Sequence, residues 1–382
     1  MSAALPGSAM SVVWRFSVAT ALIVLGNSMS APVLAIRLQQ AGHSTVAVGA
    51  FAMIFFLLIG LLIPVIPALL ARWGVVRTYR AGCLLNLAGA AVYATTDGLL
   101  PWSLGSVLSG AGAAGLWNAT EALLAREAPP AQRGRVMGLY QTALGAAFAL
   151  GAFVPGLLRI DARPVLWLAV GVIAACCVLA MTISVHATAE PEPHGQLGTW
   201  AALCTVPMLG AIAFAGGMFE AGLSSVSAAH ASAGGLGLGA AASVAGAIGV
   251  GSFLCQYPAG MLADRLPIHR VFTGAALLLL VTSMAFPLTP QLPWLFWAIG
   301  AVWGGVGGAL YTLTMVQVAH AFSGRATAGG AAAMITGYTV GAMFGPPISG
   351  IALEWGGAGG LSVVLTVLAV TTLVAAGRVK MP

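Results

Sequence analysis

Charge is the scarcest property of this chain. Its 382 residues include fifteen Lys and Arg and nine Asp and Glu, 6% of the total, where an ordinary soluble domain carries about a quarter. A water-soluble fold of this size needs a charged surface, so that class is excluded. Disulfide chemistry is equally thin. The five cysteines, Cys83, Cys176, Cys177, Cys204 and Cys255, all lie inside apolar runs, where thiols pack as small hydrophobes. The 51 glycines follow no Gly-X-Y period, which excludes collagen. What the chain does have is 59% hydrophobic residues and a mean hydropathy of +0.98. Its solvent is lipid.

Apolar runs long enough to cross ~30 Å of hydrocarbon recur about every 32 residues. Twelve spans are read, approximately 13–37, 46–70, 78–96, 101–125, 136–158, 164–185, 200–223, 237–262, 270–289, 293–319, 328–352 and 359–377. The first is too long for the 7–15-residue core of a secretory signal, and the topology needs it. With the N-terminus inside, twelve cations fall on the cytoplasmic side: Arg15, Arg72, Arg77, Arg80, Arg126, Arg133, Arg135, Arg265, Arg270, Arg325, Arg378 and Lys380. Only Arg37, Arg159 and Arg163 remain outside. This positive-inside asymmetry requires an even number of spans with both termini cytoplasmic. The pI of about 9.4 is therefore a topology signal, and no nucleic-acid partner is expected.

One polar, proline-rich stretch, residues 186–198, reads as a cytoplasmic linker between a bundle at 1–185 and another at 199–382. The two halves match each other at an offset of about 193 residues. Leu116-Trp117 beside Gly110-Ala-Gly-Ala-Ala-Gly115 aligns with Leu310-Tyr311 beside Gly304-Gly-Val-Gly-Gly308. Ala71-Arg72 aligns with Asp264-Arg265, and Gly151 to Pro155 approximates Gly341 to Pro346. A duplicated six-helix unit is the expected architecture.

Gly260-Met-Leu-Ala-Asp264-Arg265, with Arg270 following, resembles the loop signature of the major facilitator superfamily. The first-half copy, Pro67 to Gly74, keeps Arg72 but has Ala71 where the signature has an acid. The stretches Gly110 to Tyr140, Gln256 to Arg270 and Gly337 to Pro346 resemble the YcaD-like branch more narrowly. The resemblance implies an all-α membrane protein of two pseudo-symmetric six-helix bundles that moves a solute by alternating access. It implies a cavity lined by the first, fourth, seventh and tenth spans. The arginine that many members carry in the fourth span is absent here, its place falling near Ser106.

Physical chemistry singles out the charges left in the hydrocarbon, each costing at least ~2.5–3.5 kcal/mol at mid-helix unless partnered or wet. Glu220 lies opposite Asn27 in the repeat, roughly thirteen residues or ~20 Å into its span. A carboxyl group there can take up and release protons, and it is the expected coupling residue. Glu121 shares a helix face with Trp117 and Asn118. It is either a second coupling carboxylate or a partner of Arg72, Arg126 or Arg133 in the inner gate. Arg37 and His230, at equivalent outer positions, are read either as an outer rim or as snorkelling side chains.

The expected solute-binding set is Asn27, Arg37, Trp117, Asn118, Gln141, Glu220, His230, Gln256, Tyr311, Thr314, Gln317 and Tyr338. Arg72, Asp264, Arg265 and Arg270 form the candidate gate, since a loop Asp can meet a helix N-terminus and the adjacent Arg an acid opposite. Gly110-x-Gly112-x-x-Gly115 follows no strand and is read as helix packing. Gly337, Gly341, Gly345 and Gly350 with Pro346-Pro347 serve either packing or a hinge.

The mixed lining fits a small organic solute, probed alongside two alternatives: transport of a soft metal or its chelate, suggested by Cys177/Met181 and Cys204/Met208, and a non-transporting sensor. No catalytic motif is present, so an enzyme, a cofactor and a resident metal are not expected. The expected setting is a bacterial-type inner membrane, with a small molecule, protons and lipid as partners and a monomeric state.

Overall fold

A computed structural model of the chain describes residues 6–127, 133–183, 199–322 and 326–379. The linker at 186–198 and residues Arg325 and Lys380 lie outside them, as do the side chains of Arg126, Arg133 and Arg135. The described residues form helices and turns alone. We label the membrane helices α1 (Pro6–Gln40), α2 (Thr45–Leu62), α3 (Val75–Thr95), α4 (Leu99–Glu127), α5 (Arg133–Leu158) and α6 (Ala162–Met181). In the second half, α7 is built from Thr199–Thr205, Pro207–Gly217, a π-helical turn Met218–Gly222 and Leu223–Ala233. It is followed by α8 (Leu238–Arg265), α9 (Ile268–Ala285) and α10 (Leu295–Ala321).

Ala326–Arg378 is two helices that meet at a kink at Gly357, whose backbone is non-helical with a left-handed φ of 55°. It comprises α11 (326–356) and α12 (358–378). Among the described residues, ten segments are long and apolar enough to cross a membrane. Dividing the last of them at Gly357 and adding the less apolar α3 accounts for twelve.

Two spans differ from the sequence reading. The second ends at Leu62 instead of reaching residue 70, because Pro64 lacks the N–H that would continue the ladder. A separate short helix, Ile66–Trp73, restarts with Pro67 in its first turn. The seventh reaches Ala233, ten residues beyond the expected 223, and is interrupted near its start at Val206 (φ −127°, ψ 57°), with Pro207 opening the next segment.

The helices gather into two units, Met1–Leu34 with Ile54–Glu192 and Ala35–Met53 with Pro193–Pro382. The first unit packs around Phe16, Tyr79, Tyr140 and Cys176, all fully buried. Within it, Thr20 hydrogen-bonds both Tyr79 (3.1 Å) and Thr120 (3.0 Å), joining α1, α3 and α4 through hydroxyls. Cys83 and Cys176 sulfurs sit 3.7 Å apart between α3 and α6. Arg80 caps the end of α6 by donating to the carbonyls of Ala180, Met181 and Ile183 at 3.1, 3.0 and 2.7 Å. A cation there complements both the orphan carbonyls and the negative helix end. At the other end of α3, Arg163 pairs with Asp97 and donates to the Ala94 and Thr96 carbonyls.

The second unit packs backbone against backbone. A methyl group built on Gly304 of α10 would overlap the Ile248 carbonyl of α8, and one on Gly251 would overlap the Ala301 carbonyl. Lipid tails provide no hydrophobic drive for helices to associate, so such close approach supplies the contact. Gly304→Ala should therefore lower stability by ~1–3 kcal/mol through overpacking. Gly274→Ala, on α9 with open space around it, should be neutral or gain up to ~1 kcal/mol from helix propensity. Thermal unfolding of the detergent-solubilised variants distinguishes the two, and equal melting temperatures would refute the packing account.

Candidate functional site

Glycines decide where α7 runs. Gly216 lies against the Gly307 carbonyl of α10, Gly217 against the Tyr338 carbonyl of α11, and Gly222 against Gly345. Between these contacts the helix widens into the π turn Met218–Gly222. An inserted residue of this kind loosens the i→i−4 ladder and is found mostly at functional positions. Glu220 is its central residue, and it is also the midpoint of the Pro207–Ala233 span of 27 residues. A carboxylate at that depth requires partners.

It has two. Ser252 of α8 donates its hydroxyl to Oε1 at 2.5 Å, and Tyr338 of α11 donates its phenol to Oε2 at 3.0 Å. Gln256, one turn along α8, donates to the Ser252 oxygen at 3.0 Å. The Tyr338 ring lies 4.8 Å from that of Tyr311 on α10. Room for the cluster comes from missing side chains. A Cβ on Gly307 would stand 2.9 Å from that of Glu220, and one on Gly308 would stand 2.6 Å from the Ser252 hydroxyl.

Thus Glu220, Gln256, Tyr311 and Tyr338, drawn from α7, α8, α10 and α11, meet in one place. Ser252 joins them without having been singled out in the sequence. Its signal was its spacing, one helical turn before Gln256 on the same face of α8.

Chemically the cluster is a carboxylate held by neutral hydroxyl donors, with no cation among the described residues touching it. An ionised carboxylate only accepts hydrogen bonds, whereas a protonated one must donate one. Protonation would oblige Ser252 or Tyr338 to reverse its hydroxyl or release the carboxyl group. A proton on this carboxyl group would therefore alter one of the two hydrogen bonds that tie α7 to α8 and α11.

The remaining candidates have contacts of their own. Asn27 donates to Asn86 of α3 at 3.1 Å, and Asn86 in turn to the Gly82 carbonyl at 3.0 Å. Trp117 meets Phe55 edge-on at 6.2 Å, while its buried indole N–H has no partner among the described residues. Asn118 donates to Ala114 one turn back, and the buried Thr314 hydroxyl donates to the Tyr311 carbonyl. Glu121 and Gln141 are exposed and Gln317 half-buried.

His230 stacks among rings, 5.6 Å from Phe286 and 6.0 Å from Phe296, while Arg37 is exposed. Asp264 and Arg265 end α8, Arg270 lies in the first turn of α9, and Arg72 near the end of Ile66–Trp73. All four side chains are exposed. Among the described residues, the only ion pair is Arg163–Asp97.

The sequence profile described as Major Facilitator Superfamily matches residues 16–335 and 230–380, nearly the entire chain. The chain belongs to the major facilitator superfamily. It is an MFS-type membrane transporter, similar to an uncharacterised MFS-type transporter of Enterobacter sp. (strain 638), with 24% identity over 306 residues, covering 75% of this chain and 74% of the relative. Among solved structures, the nucleoside transporter NupG superposes with a TM-score of 0.75 at 13% identity, covering 96% of this chain and 97% of its own. A bacterial homologue of the human lysosomal transporter Spinster, inward-facing and unoccupied, superposes with a TM-score of 0.70 at 15% identity, covering 97% and 95%. At such identities the shared property is the fold.

The cluster should behave as a coupled unit. Ser252→Ala and Tyr338→Phe each remove a hydrogen bond to a charged group and should each cost ~1.5–3 kcal/mol. In the Glu220→Gln background the same substitutions should cost less, leaving a coupling energy of at least ~0.5 kcal/mol in a double-mutant cycle read by thermal unfolding. Strict additivity would show that the three groups do not interact.

Proposed function

We propose that this transporter is a secondary active carrier that moves a small organic solute by alternating access, with Glu220 as its proton-coupling residue. The supporting observation is the mid-span carboxylate bonded to hydroxyls from two other helices. In the proposed cycle, a proton arriving at Glu220 displaces one of these hydroxyls and weakens its tie between helices. Solute binding near Gln256, Tyr311 and Tyr338 draws on the same donors. The aromatic faces and amide suit a partly polar organic molecule better than a bare ion. Glu121 serves as a second carboxylate or within the inner gate, with Arg72, Asp264, Arg265 and Arg270 forming that gate when it closes.

The proposed setting is a bacterial-type inner membrane, with both termini cytoplasmic, a monomeric carrier and two six-helix bundles at 1–185 and 199–382. Its cation asymmetry supports this orientation. The shared fold with NupG and the Spinster homologue supports a carrier mechanism. Their names do not determine the solute.

A thermal-shift screen of the purified protein against metabolites and drug-like compounds supplies a binding solute. That compound is then tested in proteoliposomes under an imposed pH gradient. Glu220→Gln, which cannot ionise, should retain binding within about threefold but lose at least about 90% of gradient-driven accumulation, as expected when a conserved shape loses its titrating proton. Full gradient-driven accumulation by this variant would refute the coupling role.

A further inference from the structure

Three of the chain's five cysteines meet at one point inside the first unit. The Cys83 sulfur of α3 lies 3.7 Å from that of Cys176 on α6. Cys177, the next residue of α6, comes within hydrogen-bonding reach of the same Cys83 sulfur. Cys83 and Cys176 are fully buried, while Cys177 keeps 7% exposure. Close approach of helices does not by itself call for sulfur. Beside Cys83, Gly82 provides it, lying against the Gly112 carbonyl of α4.

The two helices that carry these thiols are held in register at both ends. One turn before Cys83, Arg80 donates to the carbonyls of Ala180, Met181 and Ile183 where α6 finishes. At the opposite ends, Arg163 of α6 pairs with Asp97 and donates to the carbonyls of Ala94 and Thr96 where α3 finishes. Two guanidinium clamps resist sliding of α3 along α6, so the facing thiols stay together. The Tyr79 hydroxyl, bonded to Thr20, also comes within reach of the Cys176 sulfur. That thiol therefore has a polar neighbour inside an otherwise apolar core.

Clamped thiols differ from scattered ones in what an oxidant does to them. A single buried cysteine that is oxidised has no partner and proceeds up the ladder towards irreversible acids, whereas a facing thiol intercepts the first product. Here the 3.7 Å separation has to shorten to ~2.05 Å for a bond to form. That is a movement on the scale of side-chain rotation, with the backbones already in place.

We propose that Cys83 and Cys176 are an oxidisable dithiol, a modification site at which a peroxide joins α3 to α6 through a disulfide. One thiol attacks the peroxide, breaking the O–O bond, forming a sulfenic acid and releasing water. The facing thiol then attacks the sulfenic sulfur. The S–S bond forms, the S–O bond breaks, and the hydroxyl leaves with the second thiol's proton as another water. Two electrons pass from the sulfurs to the peroxide, and every proton ends in water. The bond closes a loop between residues 93 apart in sequence, which constrains the unfolded chain more than the clamped, folded one. This inference does not depend on which solute is carried or on how it is coupled.

The test uses the full chain in lipid nanodiscs, with the exposed Cys204 and Cys255 replaced by Ser, and hydrogen peroxide as the probe. Thiols that react with maleimide after denaturation should fall from three to one. Peptide mapping without reductant should recover the segment around Cys83 joined to that around Cys176. The melting temperature should rise by at least about 4 °C and return to its starting value with dithiothreitol. Cys176→Ser should slow cross-linking at least about tenfold, and Cys177→Ser should leave it within about twofold. Cys83→Ala should abolish it, with Cys83→Ser replacing that variant if it does not fold. Three free thiols after peroxide treatment overturn the proposal, as do sulfinic acids formed without a cross-link. So does a link that survives in Cys176→Ser and vanishes in Cys177→Ser, or one that leaves the melting temperature unchanged.

Discussion

Hydrocarbon offers backbone N–H and C=O groups no water to bond with, and the remainder of this structure depends on that constraint. Helices satisfy it within each segment, but once every segment is a helix surrounded by lipid, apolar character no longer selects one neighbour over another. Selection passes to shape. In the second unit, Gly217, Gly251, Gly304 and Gly341 each face a carbonyl of another helix where a side chain would collide. Gly217 and Gly341, together with Gly216 against the Gly307 carbonyl, hold α7 between α10 and α11 and so determine where the π turn and its carboxylate sit, while Gly251 and Gly304 join α8 to α10.

The two units use their polar groups differently. In the first, Thr20, Tyr79 and Thr120 form a neutral hydroxyl network, and Asn27 bonds to Asn86. Such groups have no charge to gain or lose in the physiological range. In the second, the repeat-equivalent of Asn27 is Glu220, bonded to Ser252 and Tyr338. The repeat pairs an amide in one half with a carboxyl group in the other at this position. The Glu220 carboxyl group is met by two hydroxyls and, among the described residues, by no guanidinium.

Much of this arrangement could be read from residues in order. An acid in the middle of a long apolar run stands out, and Glu220 was found for that reason. The positive-inside pattern and the internal repeat led to twelve helices in two halves. The π turn left no mark, because a single inserted residue in a Gly- and Ala-rich helix changes neither composition nor period. Ser252 was missed because serine on a membrane helix ordinarily bonds to its own backbone; only the fold shows its hydroxyl turned to Glu220. Asn86 was overlooked for a similar reason. Glu354 escaped because an acid at the end of a span resembles any solvated charge, and its hydrogen-bond partner, Thr45, lies some 300 residues away in sequence. Proline positions were visible, yet their effects differed: Pro64 ended a helix, whereas Pro155 and Pro258 lie inside theirs.

The join between α11 and α12 has a mechanical meaning. Gly357 alone, in its left-handed conformation, reverses the chain between two long helices. Beyond it, α12 is fastened to α9 through the Ser362 hydroxyl on the Ser283 carbonyl at 2.7 Å. A connection of one residue has no slack. A longer loop would leave the two helices free to shift separately, whereas here the helix that bears Tyr338 at one level and Glu354 at another runs, through one residue, into a helix fastened to α9.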